Sequence, residues 1–124
     1  MQKLFIEESK NGPQILFDPE ANNYSVTGRS FPENAIKFYE PVFDWLESFS
    51  PPPNAELNFN FELYYISSSS LISLLEVLRK INNFKINGTS IKINWRYDDD
   101  DDDMRKIGED FMNVLGLPFE FIEN

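Results

Sequence analysis

The 124-residue chain has the length of one ordinary domain, and its twelve Phe, five Tyr and two Trp supply ample core material. It contains neither Cys nor His, which excludes disulfides, Ser-His-Asp and Cys-His nucleophiles and His/Cys zinc sites. A net charge of −10 opposes binding to nucleic acid and to anionic membranes, leaving proteins, cations or small neutral ligands as partners.

Lys3 to Glu7 and Gln14 to Asp18 are short strand candidates split by the turn signal Asn11-Gly12-Pro13. Asp18 to Asn23 leads into a third strand, Tyr24 to Thr27, ended by Gly28; an antiparallel meander is expected. In Gly28-Arg29-Ser30-Phe31-Pro32-Glu33-Asn34, Ser30 is a candidate cap and Pro32 lies near the first position of a helix. Arg29 is a scarce cation in an acidic chain, a candidate to pair with aspartates or with a phosphate. Ala35, Phe38, Tyr39, Val42, Leu46 and Phe49 then form one helical stripe. Pro41 falls inside it, where a missing donor predicts a kink or a helix in two pieces. Ser50-Pro51-Pro52-Pro53-Asn54 stops that helix and forms a stiff spacer.

Glu56 to Tyr65 alternates, with Leu57, Phe59, Phe61, Leu63 and Tyr65 on the apolar face. Ser67-Ser68-Ser69-Ser70 opens a helix to Asn82 carrying Leu71, Leu74, Leu75, Leu78 and Ile81. Asn87-Gly88 marks a turn, and Ser90 to Tyr97 is a second alternating strand. Six aspartates, Asp98 to Asp103, precede a helix through Met104, Ile107, Phe111 and Leu115, stopped by Gly116 and Pro118. Phe119 to Ile122 is a candidate edge strand. No repeat or change of composition divides the chain, so a single domain over residues 1–124 is expected. The fold class is α/β, with a mixed sheet, a parallel βαβ unit and three main helices.

That βαβ unit joins the two polar runs. Strand 56–65, helix 68–82 and strand 90–97 place two parallel strands side by side or nearly so. Their C-terminal ends, and with them the serines and aspartates, emerge on one sheet edge, within roughly 5–10 Å of each other. One serine suffices as an N-cap, contributing about 1 kcal/mol; four leave hydroxyls to spare at a site where a phosphate is stabilised by free N–H groups and the helix dipole. The aspartates suit a solvated, dipole-complementing loop or an acidic docking surface. They lack the alternating ligands, Gly and terminal Glu of an EF-hand. No residue set suggests catalysis, and no cofactor or metal is called for.

Gly28-Arg29-Ser30-Phe31-Pro32-Glu33-Asn34-Ala35, Asp44-Trp45-Leu46, the strand running into Ser67-Ser68-Ser69, Trp95-Arg96-Tyr97-Asp98 and Leu117-Pro118-Phe119 together resemble the SiaC family of bacterial regulatory phosphoproteins. The resemblance implies a STAS-like fold of the anti-sigma-factor-antagonist type and a non-enzymatic partner-switching role. A kinase of the anti-sigma ATPase type phosphorylates such a protein and a PP2C-type phosphatase reverses it. The unphosphorylated form binds an effector, a diguanylate cyclase in the best-known type, which links the switch to cyclic-di-GMP and biofilm behaviour. The family acceptor, commonly Thr in Asn-Thr-Ser-Ser, falls on Ser67, with Ile66 in place of Asn and Ser68 the second candidate. Arg29, Ser69, Asp98, Asp99 and Asp100 are the candidate partner-binding residues. The alternative is a structural or divalent-cation-binding interaction domain using Asp98–Asp103. No apolar run reaches the ~20 residues of a bilayer span, and the chain opens on no signal peptide. With cysteine absent, a cytoplasmic protein is expected, bound to neither nucleic acid nor membrane.

Overall fold

The computed structural model describes residues 2–124. Six strands form one sheet in chain order: β1 (Leu4–Ile6), β2 (Gln14–Asp18), β3 (Asn23–Ser30), β4 (Glu56–Ile66), β5 (Ser90–Tyr97) and β6 (Phe119–Glu123). The first three pair antiparallel as the expected meander, and β3 to β6 pair parallel. Helix α1 (Ala35–Ser48) joins β3 to β4, α2 (Ser68–Asn82) joins β4 to β5, and α3 (Asp102–Leu115) joins β5 to β6. Three consecutive crossovers therefore run in one direction. Since such crossovers are right-handed almost without exception, all three helices lie on the same face of the sheet.

The side chains agree with that placement. Leu57, Phe59, Phe61 and Leu63 of β4 are buried, while Glu56, Asn58 and Tyr64, pointing the other way, are exposed. Under α1, Phe17, Tyr24, Trp45, Phe49 and Phe59 pack ring on ring, with Tyr24 and Phe59 stacked at 4.7 Å. Under α3, Trp95 stacks between Phe61 at 5.8 Å and Phe119 at 5.9 Å. The opposite, helix-free face is polar, as in the Asn94-to-Asn60 side-chain hydrogen bond of 2.9 Å between neighbouring strands.

Four expectations change. Helix α1 runs through Pro41 as one helix, not in two pieces; the proline sits on the exposed side, where the carbonyl it leaves unbonded can turn to water. Its cap is Asn34, whose Oδ1 accepts from Lys37 N at 3.1 Å, rather than Ser30, which ends β3 fully buried. Tyr65 does not follow Leu63 into the core. The β3–β4 register slips between Gly28 and Arg29, so Gly28 pairs with Leu63 and Arg29 with Tyr65. Tyr64 and Tyr65 both become exposed and Ile66 turns inward. Gly28 makes the slip possible: its φ of +126° suits glycine, and a Cβ there would lie 2.5 Å from Glu8 Oε2. Finally, α2 is rotated from its expected stripe. Ser70, Ser73 and Val77 join Leu74, Leu78 and Ile81 inside, leaving Leu71 and Leu75 half-buried.

Candidate functional site

The C-terminal ends of β3, β4 and β5 bring the serines, Arg29 and the aspartates to one edge, because β4 and β5 are adjacent and parallel. Ser67 is the N-cap of α2. Its backbone N–H donates to Ser30 O at 2.9 Å, tying the cap to the end of β3. Its Oγ accepts from Ser70 N at 3.2 Å. Ser68 and Ser69 are exposed in the first turn, and Ser70 is fully buried. The N–H groups of Ser68 and Ser69 have no protein acceptor among the described residues, so this end of α2 offers donors and the positive end of its dipole to an anion.

Sequence reasoning missed the hydroxyls behind Ser67. Ser67 Oγ donates to Ser70 Oγ at 3.0 Å, Ser30 Oγ donates to Ser70 Oγ at 2.8 Å, and Ser30 Oγ lies 2.6 Å from Tyr39 OH. Ser30, Ser70 and Tyr39 are all fully buried. Burial raises the Tyr39 pKa to about 12, against a smaller lowering by its bond to Ser30. The signal was present in the period-two pattern of β3: Ser30 continues the inward series Tyr24, Val26 and Gly28.

The aspartates divide into two groups. Asp101 caps α3, its Oδ1 accepting from Met104 N at 3.1 Å, and Asp102 and Asp103 fill the first turn. Asp101 and Asp103 share a cleft of about 340 Å³ with Tyr64, Tyr65, Ile66, Met104 and Ile107, directly beside the Ser67 junction. Asp98 turns to the helix-free face instead and accepts from Asn124 Nδ2 at 3.1 Å, which also donates to Glu62 Oε2 at 3.0 Å. Tyr64 OH donates to the same Glu62 Oε2 at 2.9 Å; partial burial first, and then this bond, raise its pKa. Asp99 and Asp100 are exposed in the turn between β5 and α3. Arg29 is exposed on the helix-free side and forms no ion pair among the described residues. Among the described residues no three carboxylates converge as a metal-holding group.

One turn beyond Ser67, Leu71 opens an apolar groove of about 260 Å³ between α2 and α3, lined also by Ile72, Leu75, Ile107, Phe111 and Val114. Ile72 and Val114 are 74% and 64% exposed. An anion-ready helix end, a buried hydroxyl set and an open apolar groove thus follow one another along the first turns of α2.

The model of the SiaC family of regulatory phosphoproteins matches residues 6–124. The chain belongs to the SiaC family. It is accordingly a regulatory protein and not an enzyme. The solved structure of SiaC of Pseudomonas aeruginosa aligns over 100% of both chains with a TM-score of 0.87 and 26% identity. Another structure, of the diguanylate cyclase SiaD in complex with its activator SiaC from Pseudomonas aeruginosa, matches over 98% of this chain and 99% of the matched chain, at the same TM-score and identity. An uncharacterized protein of Pseudomonas aeruginosa strain UCBPP-PA14 is 27% identical over 119 residues, 96% of this chain and 94% of the relative. Ile66, which directly precedes Ser67, is a core residue paired with Ser30 across the sheet. Among the described residues no helix is long and apolar enough to cross a membrane.

Proposed function

We propose that this single domain is a phosphorylation-switched adaptor whose acceptor is Ser67, with Ser68 second, and whose unphosphorylated form binds and activates a diguanylate cyclase. The observation that carries this is the position of Ser67, a partly exposed N-cap hydroxyl one helical turn before Leu71, where the α2–α3 groove begins. A phosphate at that point adds about two negative charges next to Asp101 and Asp103. A partner covering Leu71 and Ile72 would have to desolvate the dianion, and an acidic partner would be repelled. Arg29, Ser69, Asp98, Asp99 and Asp100 rim the same edge and contribute to docking. A kinase of the anti-sigma ATPase type and a PP2C-type phosphatase set the state, in the cytoplasm, where ATP is available.

Calorimetric titration against a diguanylate cyclase of the same genome tests the switch. Ser67→Ala should bind within about twofold of the unsubstituted chain. Ser67→Asp should bind about tenfold or more weakly, the equivalent of ~1.4 kcal/mol. Equal binding by both variants would remove the switch from that residue. The same loss in Ser68→Asp, with Ser67→Asp unaffected, would move it one place on. Intact-mass analysis after incubation with ATP and the kinase, followed by site mapping, identifies the acceptor directly.

A further inference from the structure

Capping α2 requires one oxygen that accepts one N–H, and Ser67 Oγ meets that need through Ser70 N. The hydroxyls behind it serve no cap. Ser70 Oγ accepts from Ser67 on one side and from Ser30 on the other. Because Ser30 gives its proton to Ser70, Tyr39 must be the donor in the 2.6 Å contact with Ser30. Ser70's own proton then has no acceptor among the described residues, although the residue is fully buried and faces Ser67.

A phosphate on Ser67 changes that count. Esterification removes the Ser67 proton that converges on Ser70, and it supplies anionic oxygens where the Ser70 proton has no partner. The hydroxyls can then run head to tail, Tyr39 to Ser30 to Ser70 to phosphate, each proton with an acceptor. The free N–H groups of Ser68 and Ser69 add to the same cradle. Ser68 has no place in this chain: it is exposed and its hydroxyl bonds to nothing in the protein among the described residues.

The geometry points to Ser70, held in place by Ser30 and Tyr39 behind it, as an internal phosphate ligand that distinguishes phosphoserine from serine at position 67. The assignment rests on Ser67 being the acceptor, but it is measured without kinase or effector. Phosphoserine is installed at position 67 by genetic code expansion, and its second ionisation is followed by ³¹P NMR. A hydrogen bond from Ser70 favours the dianion and holds that pKa below its usual value of about 6. Ser70→Ala should raise it by about 0.5 or more, whereas phosphoserine at position 68 should titrate alike with and without Ser70→Ala. Identical titration of phosphoserine 67 in both backgrounds overturns the assignment. If Ser70→Ala does not fold, Ser70→Cys, which keeps the shape and weakens the donor, should raise the same pKa, and an unchanged value overturns the assignment. Cyclase binding that ignores phosphoserine 67 would instead defeat the switch, leaving the ³¹P result to judge Ser70.

Discussion

Gly108 is the residue on which the seating of α3 turns. A Cβ at this position would lie 2.6 Å from Trp95 Cδ1 and Nε1 and 2.9 Å from Phe121. Trp95 is buried in the core and its Nε1 donates to Met104 O at 2.9 Å, so the ring has little freedom to give way. Alanine is the better helix former by about 1 kcal/mol, yet the overlap should win: Gly108→Ala is expected to destabilise by about 2 kcal/mol net, read from urea unfolding. A neutral or stabilising result would mean that α3 can lift from the sheet at no cost. Tyr39 offers a second test, through pH. Its pKa rises from 10.0 in the unfolded chain to about 12 when folded, so above pH 10 the unfolded state releases a proton that the folded state keeps. The associated stability is complete below pH 10 and is lost as pH rises toward 12, at about 1.4 kcal/mol per pH unit. Tyr39→Phe should flatten that decline, leaving the smaller contribution of Tyr24, which burial also raises. An unchanged slope would show that Tyr39 ionises freely in the folded protein.

At the scale of elements, α1 carries Pro41 without interruption, and the missing hydrogen bond to Lys37 O is a cost the helix bears. Pro41→Ala restores the donor and relieves the ring's crowding of that carbonyl, against a gain in unfolded-chain entropy of under about 1 kcal/mol. The expected result is a stabilisation of about 1–2 kcal/mol, visible as a higher melting temperature; a lower one would mean that the proline fits a bend the helix needs. Asp101→Ala removes the α3 cap and should cost about 1 kcal/mol. These elements were legible in the sequence because their signals are local: alternation in β4 and β5, helical spacing in α1 and α3, and Asn87-Gly88 as a turn. The slip at Tyr64 and Tyr65 was not legible, because its cause lies in the neighbouring strand at Gly28. Nor was the Ser30–Ser70 bond, whose members stand forty residues apart and meet because β3 and β4 are parallel neighbours. The serine run and its edge could be read from the sequence. Which hydroxyl faces inward depends on the rotation of α2, and the Leu71 and Leu75 positions misstate that rotation.

Across the whole molecule, charge is distributed against compactness. Most ion pairs of the described residues lie at the surface, such as Lys92–Glu120 at 2.8 Å with both side chains more than half exposed; only those of Lys80 have a largely covered partner. Exposed pairs contribute ~0–1 kcal/mol, whereas a net charge of −10 repels itself throughout. Six of the acidic residues are consecutive, at the edge that carries Ser67. Salt should therefore stabilise this fold. Raising NaCl from about 20 mM to about 300 mM shortens the Debye length to below 10 Å and should raise the melting temperature. In the turn, Asp99→Asn with Asp100→Asn removes charge without touching the Asp101 cap, and should both stabilise the protein at low salt and flatten its salt response. Phosphoserine at position 67 should steepen that response, since the phosphate joins the densest part of the acidic field. A melting temperature that falls with salt would mean that the surface ion pairs outweigh the repulsion.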